Sequence, residues 1–188
     1  EADSQGSLRL STFDYEVSAR AEVPAEVSEP GTVLVLGRLL AEISRSLPNK
    51  PIDVHLEGNK VELRCGSARF TLLTMPTGEY PELPEMPEHQ GSIDGGVFAE
   101  AINQVTIAAG RDETLPLLTG VRMEIEGDKL TLLATDRYRL AMRQLTWSPA
   151  SPDGEQVALV RARTLSDVAR NMAGSGSVDV SLAEGADI

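Results

Sequence analysis

Val33-Leu34-Val35-Leu36-Gly37-Arg38-Leu39-Leu40-Ala41-Glu42-Ile43-Ser44-Arg45-Ser46-Leu47 is answered 125 positions later by Ala158-Leu159-Val160-Arg161-Ala162-Arg163-Thr164-Leu165-Ser166-Asp167-Val168-Ala169-Arg170-Asn171-Met172. The echo extends in both directions. Downstream, Ile52-Asp53-Val54-His55-Leu56 parallels Val178-Asp179-Val180-Ser181-Leu182 at an offset of 126. Upstream, Leu8-Arg9-Leu10-Ser11-Thr12-Phe13-Asp14 parallels Leu130-Thr131-Leu132-Leu133-Ala134-Thr135-Asp136 at an offset of 122. Solenoid units run roughly 20–50 residues, so this period has the size of a whole domain. The chain reads as tandem copies of one fold, entered partway through the first copy and left partway through the second.

The 188 residues carry 29 acidic and 17 basic side chains, a net charge of −12. That balance argues against a uniformly basic coat, but a local basic stripe on an acidic body can still hold nucleic acid. With three Phe, three Tyr and one Trp, the core must be built mainly from Leu, Val and Ile. The single cysteine, Cys65, forms no internal disulfide, which fits a reducing cytosol. No apolar run reaches the roughly 18 residues that a membrane span needs. Glu1 stands first in place of Met, as in a fragment or a chain whose upstream part is not represented.

Alternation from Leu8 to Val23 predicts one long or two short strands, with turns at Pro24 and Ser28-Glu29-Pro30-Gly31. Thr32–Leu36 is β-branched. Gly37–Leu47 then turns helical, with Leu36, Leu40, Ile43 and Leu47 as its apolar positions, and Pro48 and Pro51 end it. Ile52–Leu56 and Val61–Cys65 predict a hairpin about Glu57-Gly58-Asn59-Lys60, and Arg69–Thr74 a further strand. Pro76, Pro81, Pro84 and Pro87 make Met75–Gln90 an extended connector and the expected domain boundary. Asp94 reads as the N-cap of a helix bearing Phe98, Ile102, Val105 and Ala109 on one face. A loop from Gly110 to Gly120 leads into a hairpin of Val121–Glu126 and Leu130–Thr135, then a strand over Arg139–Trp147. Gln156–Val160, a helix from Thr164 to about Met172, and Val178–Leu182 repeat the strand-helix-strand order. The class is α+β, rich in antiparallel strands, with helices on one sheet face.

At 100° per residue, Arg38 and Arg45 lie about 20° apart on their helix, with Leu40, Ile43 and Leu47 on the opposite side. Arg163 and Arg170 repeat that spacing in the second copy, where Leu165, Val168 and Met172 form the expected buried stripe. A solvated face explains one such arginine pair. Recurrence in an acidic chain points to a shared basic track suited to phosphates, to which Arg161 and Arg111 add. In Thr135-Asp136-Arg137-Tyr138-Arg139-Leu140-Ala141, the Asp can bond its own backbone and fix a turn. Arg137, Tyr138 and Arg139 can instead border a peptide groove, since Tyr and Arg anchor interfaces. Catalytic patterns are weak. His55 and His89 lack metal-ligand spacing, Cys65 lacks a basic activator on its strand face, and neither a phosphate loop nor a Gly-x-Ser-x-Gly elbow occurs. The chain is read as a non-enzyme that needs no metal or other cofactor.

Gly66-Ser67-Ala68-Arg69-Phe70-Thr71-Leu72 leading to Glu79-Tyr80-Pro81-Glu82-Leu83, Gly110–Gly120, and Leu133–Ala141 together resemble the bacterial β sliding clamp family, in its actinobacterial form. The resemblance covers nearly the whole chain. It implies tandem sliding-clamp (DNA clamp) domains with antiparallel sheets outside and helices on the inner face. Residues 1–85 would be the C-terminal part of clamp domain 1, with a linker from about 75, and residues 91–188 most of domain 2, with domain 3 absent. It also implies a non-catalytic processivity subunit of DNA polymerase III, acting in the cytoplasm as a head-to-tail homodimeric ring around double-stranded DNA.

In that scheme Arg38, Arg45, Arg111, Arg161, Arg163 and Arg170 face DNA without sequence preference. Leu118, Thr135, Arg137, Tyr138, Arg139 and Leu140 would wall a groove for peptides of the polymerase catalytic subunit, the clamp loader and repair proteins. Many family members have Gly-His where this chain has Arg137-Tyr138, a bulkier pair. Lys60, Arg69, Phe70 and Leu72 would lie at the subunit interface. Two other classes stand beside this reading: a β-rich peptide-binding scaffold without a DNA role, and an enzyme whose active site lies in other sequence.

Overall fold

A computed structural model of the chain describes residues 1–15, 17–172 and 174–182. It divides into two units, Glu1–Pro84 and Glu85–Ile188. In the first, β1 (Ser7–Phe13) pairs antiparallel with β2 (Ser18–Pro24), in register from Ser7↔Pro24 to Phe13↔Ser18. The alternation of Leu8–Val23 thus resolves into two strands. Their turn is closed by the Val17 amide donating to Asp14 Oδ1 at 2.7 Å. The Tyr80 hydroxyl accepts the Phe13 amide at 2.7 Å, which pins the start of the Pro-rich connector to β1.

The same unit holds β3 (Leu34–Val35), α1 (Gly37–Ser46), β4 (Asp53–Glu57), β5 (Lys60–Cys65) and β6 (Ala68–Met75), with the strands in the order β3-β6-β5-β4. Both tight hairpins put glycine first in a two-residue loop, Gly58 at φ +59° and Gly66 at φ +61°. A type II′ turn requires positive φ there, and its twist matches that of the flanking strands. Ile43 of α1 packs with Val61, Leu63 and Leu72 of the sheet, flanked by Leu40, Leu47 and Phe70. Leu36 departs from the expected apolar stripe. It precedes the helix in extended conformation and is 56% exposed.

The second unit opens with β7 (His89–Asp94), of which His89 and Gln90 were expected in the connector. Its pairing partner is remote: β13 (Ser177–Ser181) lies along it in register from Ser177↔Asp94. Asp94 caps α2 (Gly95–Thr106), its Oδ1 accepting the Val97 amide at 2.9 Å, and Phe98, Ile102 and Val105 are buried as their spacing predicts. The loop after α2 contains one helical turn, α3 (Pro116–Thr119), started by a proline whose missing donor costs nothing at that position.

β8 (Gly120–Glu126), β9 (Lys129–Thr135), β10 (Leu140–Thr146) and β12 (Glu155–Arg161) form a sheet in the order β10-β9-β8-β12, while β11 (Ser148–Pro149) joins β7 and β13. Gly127, at φ +57°, turns β8 into β9 as Gly58 and Gly66 turn theirs. α4 (Ala162–Met172) packs beside α2, and both helices cover one core with Leu130, Leu132 and Val121 of the sheet. All strand pairs are antiparallel. No helix among the described residues is long and apolar enough to cross a membrane.

On α4 the buried residues are Ala162, Leu165 and Ala169, whereas Val168 is 36% exposed. The expected stripe through Val168 is therefore corrected. Because the helix starts at Ala162, the 3-4 spacing runs 162, 165, 169 and leaves Val168 about 90° from the stripe's centre.

Candidate partner cleft and nucleic-acid face

On α1, Ile43 is buried, Leu40 and Leu47 are half-buried, and Arg38 and Arg45 are exposed. The two arginines lie about 170° around the helix from the buried stripe. On α4, Arg163 and Arg170 are exposed, about 115° from the centre of their stripe. The faces are matched in sequence but not in charge pairing. Arg170 forms an ion pair with Asp167 and donates from Nε to Ser166 O at 3.4 Å. Glu42 and Arg45, the aligned residues of α1, form no such pair among the described residues. Arg161 is exposed at the end of β12.

A cleft of about 500 Å³ opens in the second unit between the loop after α2 and the turn from β9 to β10. Its apolar floor is Ala109, Leu115 and Leu118. Arg111 and Asp112 form one wall, and Asp136, Arg137, Tyr138 and Arg139 the other. The first loop is closed by the Gly110 amide donating to Leu118 O at 2.7 Å. Asp112 stiffens it, with Oδ1 accepting the Thr114 hydroxyl at 2.6 Å and the Thr114 amide at 3.0 Å. Those bonds, with the Arg137 charge added, outweigh desolvation and hold the Asp112 carboxyl below its ordinary range.

The second wall is bound more closely still. Asp136 Oδ1 accepts the Tyr138 amide at 3.1 Å and the Arg139 amide at 3.0 Å, and Oδ2 accepts Arg139 Nε at 2.9 Å. Thr135 Oγ1 accepts the Arg137 amide at 3.2 Å and donates to Arg139 O at 2.8 Å. Burial pushes the Asp136 carboxyl up, but the bonds from Arg139 and Tyr138 outweigh it and leave it lowered. Asp136 thus fixes the turn as its sequence position predicts. The bracket holds Arg137 at φ +78°, the left-handed region that costs an L residue of this kind on the order of 1 kcal/mol or more.

Leu118, Arg137, Tyr138 and Arg139 of the expected groove therefore share one cleft, and Tyr138 is 90% exposed beside it. Thr135 and Leu140 are not part of the lining: Thr135 braces the turn, and Leu140 starts β10 with 62% exposure. Arg111, expected with the basic track, stands in the cleft across from Arg137. Ala109, Gly110, Asp112, Leu115 and Asp136 were not among the expected site residues. The Asp112-x-Thr114 spacing, suited to an Asx turn, was the signal for that loop.

In the first unit, β5 pairs with β6 along its length, but β3 meets β6 only at Thr74 and Met75. The outer edge of Ala68–Leu73 therefore has no strand partner among the described residues. Arg69 is exposed there and Phe70 is half-buried, while Lys60 is exposed on the neighbouring β5, opposite Leu73. Leu72 corrects the expectation. It is 1% exposed because strand alternation points it, with Phe70, onto the core face, so only its backbone can meet a partner. Among the described residues no three metal-ligating side chains cluster.

Two family models match consecutive parts of the chain: the DNA polymerase III beta subunit N-terminal domain over residues 2–84, and its central domain over residues 92–186. The beta sliding clamp of Streptomyces coelicolor is 57% identical over 178 residues, which is 95% of this chain and 47% of that protein. The beta sliding clamp of Micrococcus luteus is 51% identical over 97% of this chain and 59% of its own length. The crystal structure of the Pseudomonas aeruginosa DNA polymerase III subunit beta superposes with a TM-score of 0.85 at 30% identity, covering 95% of this chain and 50% of that one. The chain thus spans about half the length of the relatives it matches. Matched along nearly its whole length in sequence and in fold, it belongs to the DNA polymerase III beta subunit family, the bacterial beta sliding clamps.

Proposed function

We propose that the protein this chain represents is a DNA sliding clamp: it encircles duplex DNA in the cytoplasm as a head-to-tail homodimer and tethers replication and repair proteins without catalysing a reaction itself. The units at 1–84 and 85–188 are read as clamp domains 1 and 2. The observation that carries the proposal is the recurrence of an exposed arginine pair on two helices 125 positions apart, in a chain of net charge −12. Duplication preserves a fold through its apolar stripe and leaves solvated residues free to drift. Here the charged face is kept while the stripe itself is rearranged.

Arginines on a helix face give weak, salt-sensitive contacts to phosphates without base readout. Such contacts suit sliding, because the ring supplies the retention. The free edge of Ala68–Leu73 supports assembly by strand addition, with Arg69 and Phe70 on it, Lys60 on the adjacent β5 and the Leu72 backbone contributing. The cleft between Leu118 and Arg137 supports peptide capture, by which the polymerase catalytic subunit, the clamp loader and repair proteins would be held.

The test is retention of the full-length protein, after loading, on closed circular DNA and on the same DNA cut once. Retention on the circle and rapid loss from the linear form at equal salt is the expected result. Equal loss from both would overturn the proposal.

A further inference from the structure

Each of the two helices that carry an arginine pair holds a single acidic residue, and it stands at the same place in both. α1 runs Arg38-x-x-x-Glu42-x-x-Arg45 and α4 runs Arg163-x-x-x-Asp167-x-x-Arg170. At 100° per residue the acid lies about 40° from the first arginine of its pair and about 60° from the second, and axially between them. Residues three and four apart on a helix are neighbours, so each carboxylate is within reach of both guanidiniums. All six side chains are exposed. Around the acid the copies have drifted: Leu39, Ala41 and Ser44 stand opposite Thr164, Ser166 and Ala169. The signs of charge have not drifted, although one acid is Glu and the other Asp.

A carboxylate adds nothing to the affinity of a face for phosphate. It repels the ligand and competes for the same donors. In α4 that competition is visible. Arg170 Nη2 is engaged by Asp167 and Nε donates to Ser166 O at 3.4 Å, which leaves the remaining Nη hydrogens for a ligand. The side chains of Arg163, Arg38, Arg45 and Glu42 form no hydrogen bond or ion pair among the described residues.

For a protein that moves along DNA, such competition is useful. An arginine leaving one phosphate for the next passes through a state without a partner, and an exposed acid one helical turn away supplies one. The step becomes an exchange of oxyanion partners in place of a full release, which flattens the energy profile along the backbone.

We propose that Asp167, and Glu42 at its repeat position, are fall-back partners for the DNA-facing arginines and keep each phosphate contact short-lived. They are positioning residues, since they act on the arginines and not on the DNA. This rests on the reading of α1 and α4 as DNA-facing. Asp167 has the larger effect, because it already holds its arginine.

The test tracks single molecules of labelled full-length protein, loaded on stretched duplex DNA, at several salt concentrations. Asp167→Asn should lower the diffusion coefficient about 2–5-fold, the factor that an exposed ion pair is worth, and steepen its dependence on salt. Glu42→Gln should act in the same direction and less. In an Arg170→Gln background, Asp167→Asn should change diffusion far less, because the arginine it serves is gone. Slowing of full size in that background would make Asp167 one more bulk charge and overturn the proposal, as would unaltered diffusion of the Asp167→Asn protein. Urea unfolding followed by Trp147 fluorescence isolates the purely structural role. A lowered midpoint with unaltered diffusion would make the pair a brace of α4 and likewise overturn the proposal. Equal loss of the unaltered protein from circular DNA and from the same DNA cut once would instead sink the clamp reading, and it is measured before any variant.

Discussion

α1 and α4 descend from one pattern yet sit in different company. In the second unit α4 is joined by α2, and nineteen buried residues form a single core among the described residues. In the first unit α1 covers its sheet alone, and the core cluster holds only Ile43, Val61, Leu63 and Leu72. The matched strands differ in the same way. Val180 of β13 is 8% exposed, while Val54, its counterpart on β4, is 50% exposed, as are Ile52 at 49% and Leu56 at 50%. β13, like β4, ends its sheet with one strand neighbour among the described residues, but Val180 joins the core that α2 and α4 cover, whereas no residue of β4 belongs to the core under α1. The apolar pattern of a repeat therefore records what each strand is built to meet, and burial follows only where the partner element is present.

The largest expected difference is in stability. Ile102 is fully buried between α2 and the sheet, so Ile102→Ala should cost about 2–5 kcal/mol, while Val54→Ala should stay within about 0.5 kcal/mol. Trp147 is the chain's one tryptophan and belongs to the second unit's core, so its fluorescence during urea unfolding reports that unit. Hydrogen exchange of the β4 amides reports the other. Equal costs at the two sites would break the contrast.

A glycine pair sharpens it. A Cβ on Gly95 would lie 2.7 Å from Met172 O and 2.8 Å from Ser175 O, because the start of α2 abuts the end of α4. Gly95→Ala should force the helices apart at about 1–3 kcal/mol. Gly37, at the start of α1, meets nothing within 4 Å, and its repeat counterpart is already Ala162. Gly37→Ala should be neutral or stabilise by about 0.4–1 kcal/mol in the same urea experiment.

The smallest effect is local and depends on pH. Asp136 has its folded-state pKa lowered from 3.8, so its contribution is fully present above that value and is lost as pH falls through the lower folded value. Exchange of the Tyr138 and Arg139 amides should quicken on acidification in that range, and Asp136→Asn should show quickened exchange already at neutral pH. Unchanged exchange in the variant would remove Asp136 from the role of bracing the turn.

Much of this was legible from single residues. Glycine placed between alternating runs marked the hairpins at Gly58 and Gly127, and helical spacing put Arg38 with Arg45 and Arg163 with Arg170. What stayed hidden depended on partners distant in sequence. His89 and Gln90 read as connector because Pro and polar neighbours outweigh them locally, and only Ser181 and its neighbours, some ninety residues on, make them a strand. The cleft was half visible for the same reason. The turn at Asp136 is local, but Ala109, Leu115 and Arg111 reach it through a loop whose closure rests on the bond from Gly110 to Leu118. Leu72 was readable from alternation with Phe70, which resemblance to an interface edge overrode.

The most direct measurement is the salt dependence of DNA retention for full-length protein with the two arginine pairs changed to glutamine separately: Arg38 with Arg45, and Arg163 with Arg170. Each pair should shorten retention on circular DNA and flatten its dependence on salt, with the α4 pair the weaker because Asp167 already engages Arg170. Retention and slope equal to those of the unaltered protein for both pairs would contradict the claim that the repeat carries a DNA-facing helix in each unit.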